Sequence, residues 1–139
     1  MHKESLKTPL PVKILSILLF LFGVSAFFGS IFLWGQGFIL SFPEGVNLAF
    51  PMADILVNAP ASIIAAVGLW KLKKYGYPAS QFVAGFYVYA SVIIITEAAQ
   101  GGPPYPLEIV LPQIAAVVVA FILVFYLWRM RGLFLNPAT

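Results

Sequence analysis

Cysteine is absent from this chain, which removes disulfides, thiolate nucleophiles, thiolate-ligated zinc and iron–sulfur clusters together. Histidine occurs once, as His2, ahead of the first apolar run. No imidazole therefore stands within the apolar part of the chain to hold haem, pigment or metal, and neither a cofactor nor a metal is expected. A Ser-His-Asp triad, a Cys-His pair, a zinc-protease helix and a phosphate-cradling glycine loop are missing as well. Charge is scarce: 9% of the 139 residues are charged, where soluble domains carry about a quarter. The net charge of +3 comes without the basic stripe interleaved with aromatics that would point to nucleic acid, so no nucleic-acid partner is expected.

What fills the chain instead is hydrocarbon. Hydrophobic residues make up 61% of the sequence and the mean hydropathy is +0.96. A membrane helix needs roughly 20 apolar residues. Four stretches meet that demand: Ile14–Trp34, Pro51–Trp70, Tyr77–Thr96 and Glu108–Trp128. The first follows Lys3, Lys7 and Lys13, as a secretory signal would, but it is too long for a signal core and no small-x-small cleavage site follows it. It is expected to be an uncleaved span. The predicted fold is all-α: one integral membrane four-helix bundle with antiparallel up-down topology, filling residues 1–139 as a single domain.

Gly35–Phe50 and Gln100–Pro106 are rich in glycine and proline and read as loops, while Lys71–Gly76 is a short basic turn. All eight Lys and Arg residues fall beside the termini or that turn, and none beside the other two loops. The positive-inside rule then predicts both termini in the cytoplasm of a cell membrane and the two Gly/Pro loops outside. Trp34, Trp70, Trp128 and Tyr75 stand at span ends, where amphipathic rings prefer the headgroup layer.

Apolar burial does not draw helices together in lipid, so small residues that permit close approach are the expected contacts. In span two, Asp54, Asn58, Ala61, Ala65 and Gly68 share one face. Span one offers Ser25/Gly29 and Ala26/Ser30, and span three Ser80, Ala84, Tyr87, Ser91 and Ala98. Such faces pack helices, or admit a lipid or isoprenoid tail. Pro60 and Pro112 predict a kink in spans two and four. The row Phe82, Phe86 and Tyr89 reads as lipid-facing or core.

Polar groups in or near the bilayer are costly and each needs a reason. The candidate ligand- or cation-binding residues are Glu97, Asp54, Asn58, Glu108, Gln113 and Gln100, all toward the side without Lys or Arg. Asp54 and Glu108 are expected to cap the first turns of their helices. Glu97 closes span three, where the helix dipole disfavours a carboxylate, so it must reach water, a proton, an amide neighbour or an external cation. Phe50–Asn58 and Tyr105–Gln113 both read aromatic, proline, aliphatic, acid, isoleucine and then an amide, which is the pattern a duplicated hairpin would leave. The span count equals that of small multidrug exporters, but span one lacks the acid that such an exporter needs for coupling.

The expected function is a non-enzymatic accessory or binding subunit whose outer acidic and amide cluster recognises a partner, a cation or a lipid. Its partners would be the lipid bilayer, a membrane-protein partner or further copies of itself, and a lipophilic ligand. One alternative is a small proton- or cation-coupled transporter or channel. Another is an intramembrane enzyme or carrier acting on a quinone or isoprenoid lipid, with carboxylates as acid and base.

Overall fold

The computed structural model describes residues 7–35, 49–100 and 107–135; the side chains of 33–34, 49–50, 97–98 and 107–109 also lie outside the description. Every regular element is a helix: α1 (Leu10–Gly35), α2 (Ala49–Ala53), a π-turn (Asp54–Asn58), α3 (Ala59–Trp70), α4 (Gly76–Ala99), α5 (Leu107–Arg129) and α6 (Gly132–Leu135). Four helical segments are long and apolar enough to cross a membrane: Leu10–Phe32, Pro51–Trp70, Gly76–Thr96 and Val110–Arg129. The chain is a helical membrane protein built as a bundle. The two Gly/Pro connections fall almost wholly outside the described residues.

Helices adjacent in sequence are adjacent in space: α1 packs on α3, α3 on α4 and α4 on α5, whereas α1 and α5 barely meet. The apolar core gathers toward the end that carries the basic residues. Leu15 and Leu19 of α1, Leu69 of α3, Val83 of α4, and Leu123 and Leu127 of α5 belong to it. Toward the far end the buried residues are chiefly polar: Ser30, Asn58, Ser62 and Ser91, with Ala59 and Ile94. Between 28% and 33% of each span is buried by the rest of the chain, so most of the helical surface faces outward, as hydrocarbon surroundings require. Phe82 and Tyr89 are among the outward rings, while Phe86 is half-buried.

The seam between α1 and α3 runs on small residues seven apart. Ser16 donates to the carbonyl of Ala66 at 2.6 Å. A Cβ on Gly23 would come within 3.1 Å of the Ala59 carbonyl oxygen and of Ser62 Cβ. Ser30 meets Asp54. Residues seven apart fall on one helix face, which makes Ser16, Gly23 and Ser30 the contact line of α1. The expected Ser25/Gly29 pair is not part of it: Ser25 is exposed and nothing lies within 4 Å of a Cβ on Gly29. Only Ser30 of the four small residues singled out in span one is buried. The faces expected of the next two spans do face inward, except that the side chain of Ala98 lies outside the described residues. Asn58, Ala65, Gly68, Ser80, Ala84, Tyr87 and Ser91 are buried, and Ala61 and Asp54 are half-buried.

The basic turn closes tightly. The Leu72 N–H bonds the Leu69 carbonyl at 3.2 Å and the Lys73 N–H bonds that of Gly68 at 2.8 Å, a Schellman pair with Leu72 in the left-handed conformation at φ 49°. Glycine is the usual residue there; Leu72 is retained at a cost of about 1–2 kcal/mol, and its side chain packs against the core. The turn brings Gly68 and Gly76 backbone to backbone, leaving no space for a Cβ on either. Beyond span four, α6 turns Phe134 back beneath the bundle, where it is fully buried and stacks on Tyr77 at 6.3 Å between ring centroids.

Gly68→Ala or Gly76→Ala should each destabilise the protein by about 1–3 kcal/mol, because the obstacle is backbone rather than a side chain able to swing away. Gly85→Ala, with open space around its Cβ in the middle of α4, should leave stability unchanged or raise it by up to about 1 kcal/mol. Unfolding of the detergent-solubilised variants, followed by circular dichroism, checks the contrast.

Candidate functional site

Pro60 has no N–H to offer the carbonyl of Leu56, and its ring crowds that carbonyl. A wider turn is one way for a helix to absorb such a lesion without breaking, and the five residues 54–58 form one, with the Ala59 N–H reaching back to the Asp54 carbonyl. The proline expected to kink span two thus stands just after a π-turn. Through it the backbone stays helical on both sides, Ala53 and Ala59 both having right-handed helical angles. The related text in span four does not repeat the device: Leu107–Arg129 is α-helical throughout, with Pro112 inside it.

The π-turn presents Asp54 to α1, and the side chains join into a file that reaches α4 through Ser62. Ser30 Oγ donates to Asp54 Oδ2 at 3.3 Å. Asn58 Nδ2 donates to Asp54 Oδ1 at 2.9 Å. Ser62 Oγ donates to Asn58 Oδ1 at 3.0 Å, and Tyr87 Oη lies 3.0 Å from Ser62 Oγ. The Asn58 amide turns its NH2 to Asp54 and its oxygen to Ser62. The Ser62 proton is then committed, so the Tyr87 hydroxyl donates to Ser62. Phe22 of α1 holds the Tyr87 ring edge-on at 5.9 Å. Among the described residues no buried side-chain N or O lacks a partner.

The file spans a definite depth. Ser62 and Tyr87 lie near the middle of the segments Pro51–Trp70 and Gly76–Thr96, and Asp54 lies near the far end of the first. The nearest basic residue on its own helix is Lys71, 17 positions away, or about 25 Å along the axis. Lys13 of α1 is as distant from Ser30. Asp54 is half-buried and, among the described residues, receives two side-chain donors. No group of three His, Cys, Asp or Glu side chains gathers among the described residues.

The other candidate residues divide. Asp54 does not cap a helix: α2 begins five residues earlier, and its carboxylate bonds side chains rather than first-turn N–H groups. Gln113 approaches α4 instead, its Oε1 lying 3.5 Å from Ser91 Oγ, whose shorter bond, 2.9 Å, goes to the Tyr87 carbonyl. Gln100 is exposed just past α4. Glu97 lies in the last turn of α4 and Glu108 in the first turn of α5; their side chains lie outside the described residues. Ser30, Ser62 and Tyr87 complete the file. Ser30 and Tyr87 stood in the small-residue faces; Ser62 was not singled out, although its place four residues after Asn58 puts it on the same side of the helix.

Nothing matches this chain among protein-family models, curated proteins or solved structures.

Ser62 is the middle of the file, so Ser62→Ala should strand both the Asn58 oxygen and the Tyr87 hydroxyl, whereas Tyr87→Phe leaves Ser62 bonded to Asn58. Hydrogen bonds within membrane bundles average about 0.6 kcal/mol with a maximum near 1.7. Ser62→Ala should therefore cost more than Tyr87→Phe, and the double variant less than their sum. A double-mutant cycle of unfolding in detergent reads this coupling.

Proposed function

We propose that this chain is a small non-enzymatic membrane protein that serves as a binding subunit, with the Asp54 carboxylate receiving a cationic group from outside the chain. One observation supports the reading: the hydrogen bonds from Tyr87 through Ser62 and Asn58, and from Ser30, all point their donors toward one half-buried carboxylate whose own chain keeps its cations at the opposite end. A negative charge at that depth is expensive alone and much less so beside a positive one. The outward surface of the bundle leaves room for a partner helix bearing Lys or Arg, or for a small cation with access from the far end. In this reading the basic end faces the cytoplasm of a cell membrane, with both termini there, and Asp54 opens toward the outer side.

A second reading, a small proton- or cation-coupled transporter, draws on the continuity of the file from mid-span to the far end. The Asn58 amide weighs against a proton relay through it, because an amide neither gives up nor gains a proton readily, so the file orients the carboxylate rather than conducting to it.

Asp54→Asn removes the charge at nearly constant shape and separates the two roles of this side chain. Purified from its native membrane in mild detergent, the wild-type chain should retain a partner visible by native mass spectrometry, or gain thermal stability from a monovalent or divalent cation. The variant should lose whichever of these the wild type shows while still folding. A wild-type chain that runs alone and ignores every cation would end the binding reading. Flux in liposomes that Asp54→Asn abolishes would favour the transporter.

A further inference from the structure

A second feature of the bundle, at the opposite end from Asp54, has the shape of an amphiphile. A groove of about 220 Å³ lies open along α1 and α3, formed by Ser16, Phe20, Ala66 and Val67, with Trp70 and Lys71 at its mouth. The Ser16 hydroxyl is committed to the Ala66 carbonyl, so the floor presents hydrocarbon rather than a free donor. The mouth is built from charge and aromatic surface. Lys13 Nζ lies 5.6 Å from the centroid of the Trp70 ring, and Thr8 Oγ1 donates to the Trp70 carbonyl at 2.8 Å. The volume falls below the roughly 300 Å³ at which pockets for whole small molecules begin, and matches a stretch of a single alkyl chain better.

An apolar trough lined at one end by Trp70 and Lys71, with Lys13 against the Trp70 ring, is complementary to one class of molecule. We infer that this groove seats one acyl chain of an anionic phospholipid, with Lys13 and Lys71 holding its phosphate and Trp70 marking the interface. Lysine stems lie along apolar surface while their ammonium groups reach the headgroup layer, which suits both residues to that position. The inference is independent of the role given to Asp54, which lies at the other end of the same helix.

The test uses the full chain reconstituted in vesicles of phosphatidylglycerol and phosphatidylcholine in equal amounts, extracted in mild detergent and read by native mass spectrometry. The wild type should keep one phosphatidylglycerol through collisional activation in preference to phosphatidylcholine. Lys13→Gln and Lys71→Gln should each cut that preference by roughly fivefold, the effect of one lysine on an anionic surface. Lys73→Gln with Lys74→Gln removes two charges, as many as both groove variants together, from residues that do not line the groove, and should leave the bound lipid in place. Val67→Trp, at a position 38% exposed, should expel the lipid by filling the trough without touching a charge. Equal retention of the two lipids by the wild type would overturn the inference. So would equal losses in the two lysine pairs, which would mean diffuse surface attraction, or an undiminished adduct in Val67→Trp. Because the wild-type comparison and Val67→Trp leave both groove lysines intact, the outcome stands even where a lysine variant fails to fold.

Discussion

Helices in hydrocarbon gain nothing by hiding apolar surface from one another, so whatever lets two backbones come close decides which faces meet. In this protein that role falls to the α1–α3 seam. Ser16, Gly23 and Ser30 stand seven apart on α1 and meet Ala66, the Ala59–Ser62 stretch and Asp54 in antiparallel order. The serines add hydrogen bonds at both ends, and the glycine admits the partner backbone between them. Everything at the far end then follows: Ser30 reaches Asp54 only because Gly23, two turns below it, has brought the helices together. A side chain at 23 would push on Ala59 and Ser62, the link through which Tyr87 is joined.

The bundle is cohesive in two different ways along its length. Toward the basic end, leucines, valines and alanines from all four long helices interlock, and Phe134 closes the base from α6. Packing of that kind depends on fit and is indifferent to direction. Toward the far end, Ser30, Asp54, Asn58, Ser62 and Tyr87 hold α1, the π-turn, α3 and α4 by bonds that each require one orientation. Such a network, in a medium of low dielectric, specifies one arrangement and penalises any other. The same directionality gathers these donors on one carboxylate, and our functional reading rests on that consequence.

The π-turn connects these two regimes. It rearranges the helix over the five residues ahead of Pro60, so that Asp54 and Asn58 bond one another while Ser62, four residues on, still aligns with Asn58. Wide turns of this kind recur at functional positions because they re-aim side chains without ending a helix. Here the wide turn carries the acid whose charge has no counterpart nearby on its own helix. Span four carries the related text but no proline two residues past its amide, and it remains α-helical, in keeping with Pro60 as the cause of the wide turn.

Hydropathy and length by themselves established four membrane-competent helices, because the hydrocarbon thickness and the need to satisfy every backbone group leave a long apolar stretch little other choice. The inward faces of spans two and three were legible for the same reason: Asn58, Ala65, Gly68, Ser80, Ala84, Tyr87 and Ser91 share helical spacing and are small or polar. Span one was not, since its apolar residues are nearly uniform around the helix and several pairs of small residues compete at equal spacing; only the partner helix picks Gly23 and leaves Ser25 and Gly29 outside. Asp54 read as a cap because a proline and a loop stood just before it. The α2 turn that starts at Ala49 and the widening before Pro60 moved it into the interior of a helix. Phe134 gave no periodic signal at all, and its burial depends on a chain reversal after Arg131. Which side chains meet is a property of two surfaces at once, and a single strand of text describes only one of them.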